Sequence, residues 1–471
     1  MYKNLSRRQF IQSAALLAAG GALAACAPTP TTPDQPDVAD VGDAPAVVAP
    51  RDRTLIKYWV FWGQLAACEA AWRATDEWKA MEEDNNWEIE FRTGAGGDAG
   101  RTAVAAGTPP DVGNLGPQYD FALGGRLIDL TDLVAASPVI NQDMYFEPNW
   151  KGCFWEGHMF RVPAHEGFVR RTLYYNARMV EEAGLDPTNP PETWEELFEW
   201  HKDLTKFDAA GNIIHFGLDP FDAEGGTGPG GDGWGIMDVW DITDFFDETA
   251  GTFNINQPAF VEALDSFCEF TRYVGPDNLQ AVRSVEGQGT WGGAFNAEVQ
   301  AMIIEGYWHA GETYHEAPEV AHYNTAAWVP VPSFRRGDKI QCYSGHGSSL
   351  FVDGDHALEA WPILEWLQSD ANNQIIFETI GWLPAIREFV ENIDHGMFPG
   401  LTFVVESAEK ATHRYGEVQI PIRSFMSQKF VEYRERVFRN EMTAQQAADE
   451  FQRDVEREWD ESGWAERWGE R

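Results

Sequence analysis

The chain has 471 residues, 44% of them hydrophobic and 23% charged, a globular composition with enough length for two or three folding units of roughly 100–200 residues. Against 35 Lys+Arg stand 75 Asp+Glu, a formal net charge of -40, so a polyanion such as DNA or RNA is repelled at long range and nucleic-acid binding is excluded. The 20 Trp, within an aromatic fraction of 13%, exceed the needs of a core and fit a wet aromatic surface that stacks on sugar rings.

The first segment reads as an address. Lys3, Arg7 and Arg8 precede a short apolar stretch from Ile11 to Ala25, shorter than the ~20 residues of a membrane-spanning helix. Ser6-Arg7-Arg8-Gln9-Phe10-Ile11 resembles a twin-arginine export motif, and Leu23-Ala24-Ala25-Cys26 resembles a lipobox whose cysteine becomes the acylated first residue. Residues 1–26 are therefore expected to be a twin-arginine lipoprotein signal, with Cys26 lipidated, and residues 27–50 a disordered tether rich in Pro, Thr, Asp, Ala and Val. No later apolar run is long enough to cross a bilayer, so the membrane is met only through the lipid anchor, at the periplasmic or outer face of the cell membrane. Cys68, Cys153, Cys268 and Cys342 remain, and an exported compartment permits disulfides among them in any of three pairings.

The body alternates strands and helices. Leu55 to Phe61 is a nearly unbroken apolar run, expected as a strand buried on both faces of a parallel sheet. A helix from Ala66 to Glu83, an alternating strand from Glu88 to Arg92 and a short strand at Asp111 to Asn114 continue a βαβ rhythm, which predicts an α/β fold. Thr193 and Glu196 form a capping box before a helix with Trp194, Leu197, Phe198 and Leu204 on one face; Pro258 opens another helix, and Thr443 with Gln446 caps the last. Neither an internal repeat nor a contiguous domain boundary is visible.

Catalytic signatures are missing from the sequence. Gly-x-Ser-x-Gly, the P-loop and His-Glu-x-x-His do not occur, and His309, His315 and His322 match no zinc spacing. The Gly-rich acidic stretch from Asp219 to Asp247 lacks the order of a calcium loop and reads as a solvated loop beside a site. No catalytic residue, metal or cofactor is expected.

Five segments, in register over most of residues 54–460, are similar to the family 1 extracellular solute-binding proteins, the lipid-anchored sugar receptors of ABC importers. They are Gly107-Thr108-Pro109-Pro110-Asp111-Val112; Leu173-Tyr174-Tyr175-Asn176; Ala183-Gly184-Leu185-Asp186 with Pro190-Pro191-Glu192-Thr193-Trp194-Glu195-Glu196-Leu197; Phe295-Asn296 with Ala301 to Trp308; and Gly381-Trp382-Leu383-Pro384-Ala385. The chain departs from the pattern at Pro362, where the family continues a helix and here one starts at Trp361, and at Arg170 and Arg171, where apolar residues are commoner. The resemblance implies a two-lobed α/β fold of the type II periplasmic-binding-protein kind, with the ligand between the lobes and three chain crossings. The crossings are placed near Pro163–Phe168, Asn324–Val329 and Ile380–Pro384. Residues 51–165 plus 326–379 would form lobe 1, and 168–323 plus 381–471 lobe 2.

The same resemblance implies a monomeric receptor that binds carbohydrate and docks on ABC permease subunits without chemistry. Trp62 and Trp308 are the leading stacking platforms, followed by Trp234, Trp240, Trp382, Tyr119 and Tyr175. Gln64, Asn114, Gln118, Glu166, Arg171 and Asp222 are the polar candidates. Gly306 is expected to let backbone and ligand approach closely beside Trp308. The alternatives are a secreted glycoside hydrolase working through two carboxylates, and the same receptor taking a charged solute. Arg170 and Arg171 favour an acidic sugar in that case, while the overall acidic field favours a cation.

Overall fold

A computed structural model describes residues 53–116, 118–221, 234–283, 293–416 and 419–469. The expected signal, Cys26 and the tether lie outside these residues.

In the first part of the chain, β1 (Thr54–Val60), α1 (Glu69–Ala74), α2 (Asp76–Asp84), β2 (Trp87–Arg92), α3 (Gly97–Ala105), β3 (Val112–Asn114) and α4 (Gln118–Leu123) follow in sequence. The single helix expected over 66–83 is divided, because the Thr75 hydroxyl accepts from the Trp78 N–H and caps a new helix with an extended backbone. β1 is not buried on both faces. Ile56, Tyr58 and Val60 point into the core, whereas Leu55 is 41% exposed and Trp59 lies under Arg92 with its indole bonded to Glu90. Only one face of this part of the sheet is fully covered, so the strand alternates. The hairpin of β4 (Phe154–Trp155) and β5 (His158–Met159) leads into β6 (Val162–Val169).

The middle of the chain holds β7 (Thr172–Asn176), α5 (Trp194–Leu204), α6 (Trp234–Trp240), α7 (Pro258–Val274), β8 (Met302–Glu305), α8 (Trp308–Glu316) and β9 (Asn324–Trp328). The Thr193–Glu196 capping box forms as read, and Pro258 occupies the first turn of α7. The last part comprises β10 (Ile340–Leu350), α9 (Trp361–Trp366), α10 (Asp370–Ile380), β11 (His413–Gly416), α11 (Arg423–Phe438), α12 (Ala444–Glu461) and α13 (Trp464–Gly469). α9 starts at Trp361 with Pro362 in its first turn, and Thr443 with Gln446 caps α12.

The larger sheet has the order β11-β10-β3-β1-β2, with β6 also paired to β10. β1 runs parallel to β2 and β3, and β10 runs antiparallel to β3 and β6. The smaller sheet is antiparallel, β8-β7-β9. Its side chains alternate between two cores, as strand geometry requires. Leu173, Tyr175, Met302 and Ile304 enter a core built with α7, α11 and α12, whereas Tyr174 and Ile303 enter the core that holds Ile56, Tyr58 and Trp308. Residues 326–328 belong to β9 and pair with β7 in the smaller sheet, and β11 pairs with β10 in the larger one. Cys68, Cys153, Cys268 and Cys342 are buried thiols in no disulfide, with Cys68 and Cys268 in different cores. No helix among the described residues is long and apolar enough to cross a membrane.

Candidate functional site

β6 carries an irregularity at its centre. His165 is buried with φ at 64°, a left-handed conformation rare for a non-glycine, and the pairing of β6 with β10 shifts register between His346 and Gly347. His165 is tied down by a 2.6 Å bond between its Nε2 and the Tyr58 hydroxyl, and burial lowers its pKa to about 3.

The next residue, Glu166, gathers the site. Its Oε1 accepts the His346 backbone N–H at 2.9 Å and pairs with His346 Nδ1; its Oε2 accepts the Tyr307 hydroxyl. Arg170 Nη2 stands 3.6 Å from Oε1. Burial by itself would raise this carboxyl, but the charges of His346 and Arg170 and the bonds from His346 and Tyr307 outweigh it and hold the group at about 2. Glu166 is a buried carboxylate with its charge matched.

Aromatic rings surround this carboxylate. Trp62, half-buried just beyond β1, meets the His346 ring edge-on at 5.0 Å and Trp382 at 6.2 Å. Trp382 donates its indole N–H to Glu312 Oε1 at 2.6 Å, and burial, reinforced by Glu316, Glu305 and Glu166, pushes the Glu312 carboxyl well above the usual range. The Arg170 guanidinium lies 5.0 Å over the Trp308 ring, a cation–π pair.

Beside this cluster opens a cavity of about 350 Å³, within the roughly 300–1,000 Å³ of small-molecule sites. His346 and Gln118 line it from the larger sheet and its α4 helix, Arg101 from α3, Arg161 from the chain entering β6, and Arg423 with Ser424 from the head of α11. Gln118 is 5% exposed; its Nε2 bonds to Gly347 O and Ser349 Oγ, while its Oε1 has no partner among the described residues. An adjoining hollow is walled by Tyr119, Phe154, Trp155 and Arg423, with Tyr119 edge-on to Trp155 at 5.1 Å.

The structure thus brings together Trp62, Gln118, Tyr119, Glu166, Trp308 and Trp382 from the sequence candidates. Asn114 is buried at the end of β3, its Oδ1 accepting from Gly116 N–H, and Gln64 is half-buried on the turn after Trp62. Three candidates lie elsewhere. Arg171 is buried against Asp238, because the chain between β6 and β7 turns it away from Glu166 and leaves Arg170 in its place. Tyr175 packs in the α7 core with its hydroxyl on Pro187 O, since it faces that side of β7, and Trp240 packs in the same core, edge-on to Trp194 and tilted against Phe267. Asp222 and the Trp234 side chain lie outside the described residues.

Trp308 also differs from its expected setting. It is 2% exposed rather than on a solvated wall, and its own ring fills the space beside Gly306 that was expected to admit ligand. Trp155 and the arginines Arg101, Arg161 and Arg423 were not legible as site residues. Trp155 is placed by the tight turn at Glu156 and Gly157, both at positive φ, and the Gly at the second turn position was the one local signal.

Residues 34–374 match the family model of the bacterial extracellular solute-binding proteins. Among solved structures, CpMnBP1 with mannotriose bound aligns with a TM-score of 0.70 at 19% identity, over 85% of this chain and 99% of its own. An ABC transporter solute-binding protein from Thermotoga lettingae, bound with α-D-tagatose, aligns at 0.69 with 20% identity, over 85% and 98%. The sugar-binding protein MalE of Xanthomonas citri aligns at 0.65 with 19% identity, over 87% and 98%. At these identities the structural likeness is one of fold. No curated protein sequence matches the chain.

Proposed function

The chain belongs to the bacterial extracellular solute-binding proteins, and from that premise we propose that it is an extracytoplasmic receptor that captures a sugar or oligosaccharide and delivers it to the permease of an ABC importer. The observation that carries this reading is the cavity between the His346 and Gln118 side of the larger sheet and the head of α11, with Trp62, Tyr119 and Trp155 close by. Aromatic faces take the C–H surface of a sugar while buried polar groups take its hydroxyls. Solved relatives of the same fold hold mannotriose and tagatose.

One lobe is built on the larger sheet and the other around the α7, α11 and α12 core, and the receptor acts as a monomer. Closure is a population shift driven by contacts that the ligand makes only when both walls reach it. The bulge at His165 and Glu166 serves as one pivot, since a backbone already off the regular ladder bends there with the least loss of pairing. The Leu23 to Cys26 motif anchors the mature chain by lipid.

Hydrolysis is disfavoured at this site. A glycosidase needs two carboxylates flanking the bond, whereas Asp120 is the one acid on the described cavity wall, and it accepts from Ser424 at 2.7 Å.

The test is a thermal-shift screen of the purified chain against mono- and oligosaccharides, followed by recovery of the bound sugar. A ligand that raises the melting temperature and is recovered intact is the expected result. A sugar returned cleaved, or no stabilisation by any saccharide, would overturn the reading. For the anchor, Cys26→Ser should release the protein from the membrane fraction, and retention of that variant would count against lipidation.

A further inference from the structure

Asp120 in α4 and Ser424 in α11 meet on the cavity wall although their helices are packed in different cores. Phe121 holds α4 against Leu115 and Phe351, whereas Met426 and Phe430 hold α11 in the core shared with α7 and α12. The two residues are 304 positions apart and half-buried, and the Ser424 hydroxyl donates to Asp120 Oδ2 at 2.7 Å. α11 has no side-chain cap at Ile422 and no acid in its first turn, so the Asp120 carboxylate also serves the positive end of this helix and is held in place before any ligand arrives.

The polar atoms left over at this contact are acceptors. Among the described residues nothing donates to Asp120 Oδ1 or pairs ionically with its carboxylate. Ser424 has given its one hydroxyl proton to Asp120, so its oxygen can only accept. Gln118 lines the same cavity at 5% exposure, with its Nε2 on Gly347 O and Ser349 Oγ. A backbone carbonyl only accepts, which fixes the amide orientation and leaves Oε1 as a buried acceptor without a partner among the described residues.

We propose that Asp120 and Ser424 are ligand-binding residues that read adjacent hydroxyls of an uncharged sugar, with Gln118 Oε1 taking a third. This rests on the sugar-receptor reading and narrows it to ligands that arrive as donors. Neighbouring hydroxyls on a sugar ring lie about as close as two hydrogen-bonded oxygens, which is how Asp120 Oδ2 and Ser424 Oγ stand. A carboxylate or sulfate on the sugar would bring only acceptors and a charge of the same sign as Asp120. Arg170 and Arg171, read from the sequence as signs of an acidic ligand, lie instead over Trp308 beside Glu166 and against Asp238. Because α4 and α11 belong to different cores, a sugar bonded to both residues ties the two walls together, a contact available only when both reach it.

The experiment titrates the purified chain by calorimetry with mannotriose and maltotriose as uncharged probes and trigalacturonate as an anionic one. An uncharged sugar is expected to bind most tightly. Asp120→Asn keeps an acceptor for Ser424 but removes the charge, and should weaken that sugar roughly 10- to 100-fold, as expected on losing a hydrogen bond to a charged group. Its melting temperature without ligand should stay close to the parent's, and Asp120→Glu should recover part of the affinity. Ser424→Ala should weaken binding roughly 2- to 10-fold, and it keeps the test available if Asp120→Asn does not fold. A role confined to holding α11 would lower the melting temperature and spare the affinity. That pattern, or trigalacturonate as the tightest probe, overturns the inference while the receptor stands. If no probe binds, the receptor reading falls with it.

Discussion

The hydroxyl of Tyr307 donates to the carboxylate of Glu166, joining the turn ahead of α8 to β6, while the partner strand β10 supplies His346 as the other donor. Burial opposes the charge on Glu166, yet the charges of His346 and Arg170 and these bonds hold it at about 2. A depressed carboxyl stabilises the fold fully above its unfolded value of about 4.3, and that contribution is lost as pH falls toward about 2. Tyr307→Phe removes one donor and should cost roughly 1.5–3 kcal/mol at neutral pH, with the acid limb of the stability curve moving to higher pH. Urea unfolding of parent and variant from pH 7 to pH 2 measures both. Identical curves would show that this bond contributes nothing.

Glu312 is the opposite case. Its carboxyl, bonded to Trp382 and deep in the core, is pushed up by burial and by neighbouring acids. A raised carboxyl keeps its proton in the folded state, so stability falls as pH climbs past the unfolded value. Glu312→Gln preserves an acceptor for the Trp382 indole without a proton to hold. The variant should therefore be more stable than the parent at pH 7 and close to it near pH 4, by thermal unfolding at the two values. A loss at pH 7 would mean that the carboxylate is ionised and paired.

Trp308 is buried at 2% exposure under the Arg170 guanidinium. Trp308→Ala should lose about 3–5 kcal/mol of stability, visible in the denaturant midpoint without any ligand. A midpoint near the parent's would place the ring on a solvated wall after all.

Gly311 in α8 faces Gly381 so closely that a Cβ on either would strike the backbone of the other, and Gly381 ends α10 at a φ of 78°. Gly311→Ala should push α8 off this crossing and destabilise the fold by roughly 1–3 kcal/mol through overpacking. Calorimetric unfolding decides the matter, because an unshifted melting temperature would show that the two backbones can separate without loss.

Local signals in the sequence were enough for several elements. The two capping boxes, at Thr193 with Glu196 and at Thr443 with Gln446, form as read because a cap needs only residues three apart. The helix opened by Pro258 is equally local. The helix expected over 66–83 divides at Thr75, whose neighbours allow one continuous helix but whose extended backbone in the fold starts a second one.

The candidate site was legible in part. The resemblance that singled out Trp382 and Trp308, and the choice of Trp62 and Glu166, led to one cluster. Residue type alone could not separate Arg170 from Arg171, since a turn between β6 and β7 decides which guanidinium reaches Glu166 and which is buried on Asp238. Tyr174 and Tyr175 show the same limit, because successive residues of one strand face two different cores. The sequence by itself determined the α/β alternation, the helix starts and the acidic charge, all properties of neighbouring residues or of plain sums. Tertiary structure alone decided that Arg101, Arg161 and Arg423 share one cavity, because their meeting depends on long-range packing of α3, β6 and α11, which no local pattern encodes.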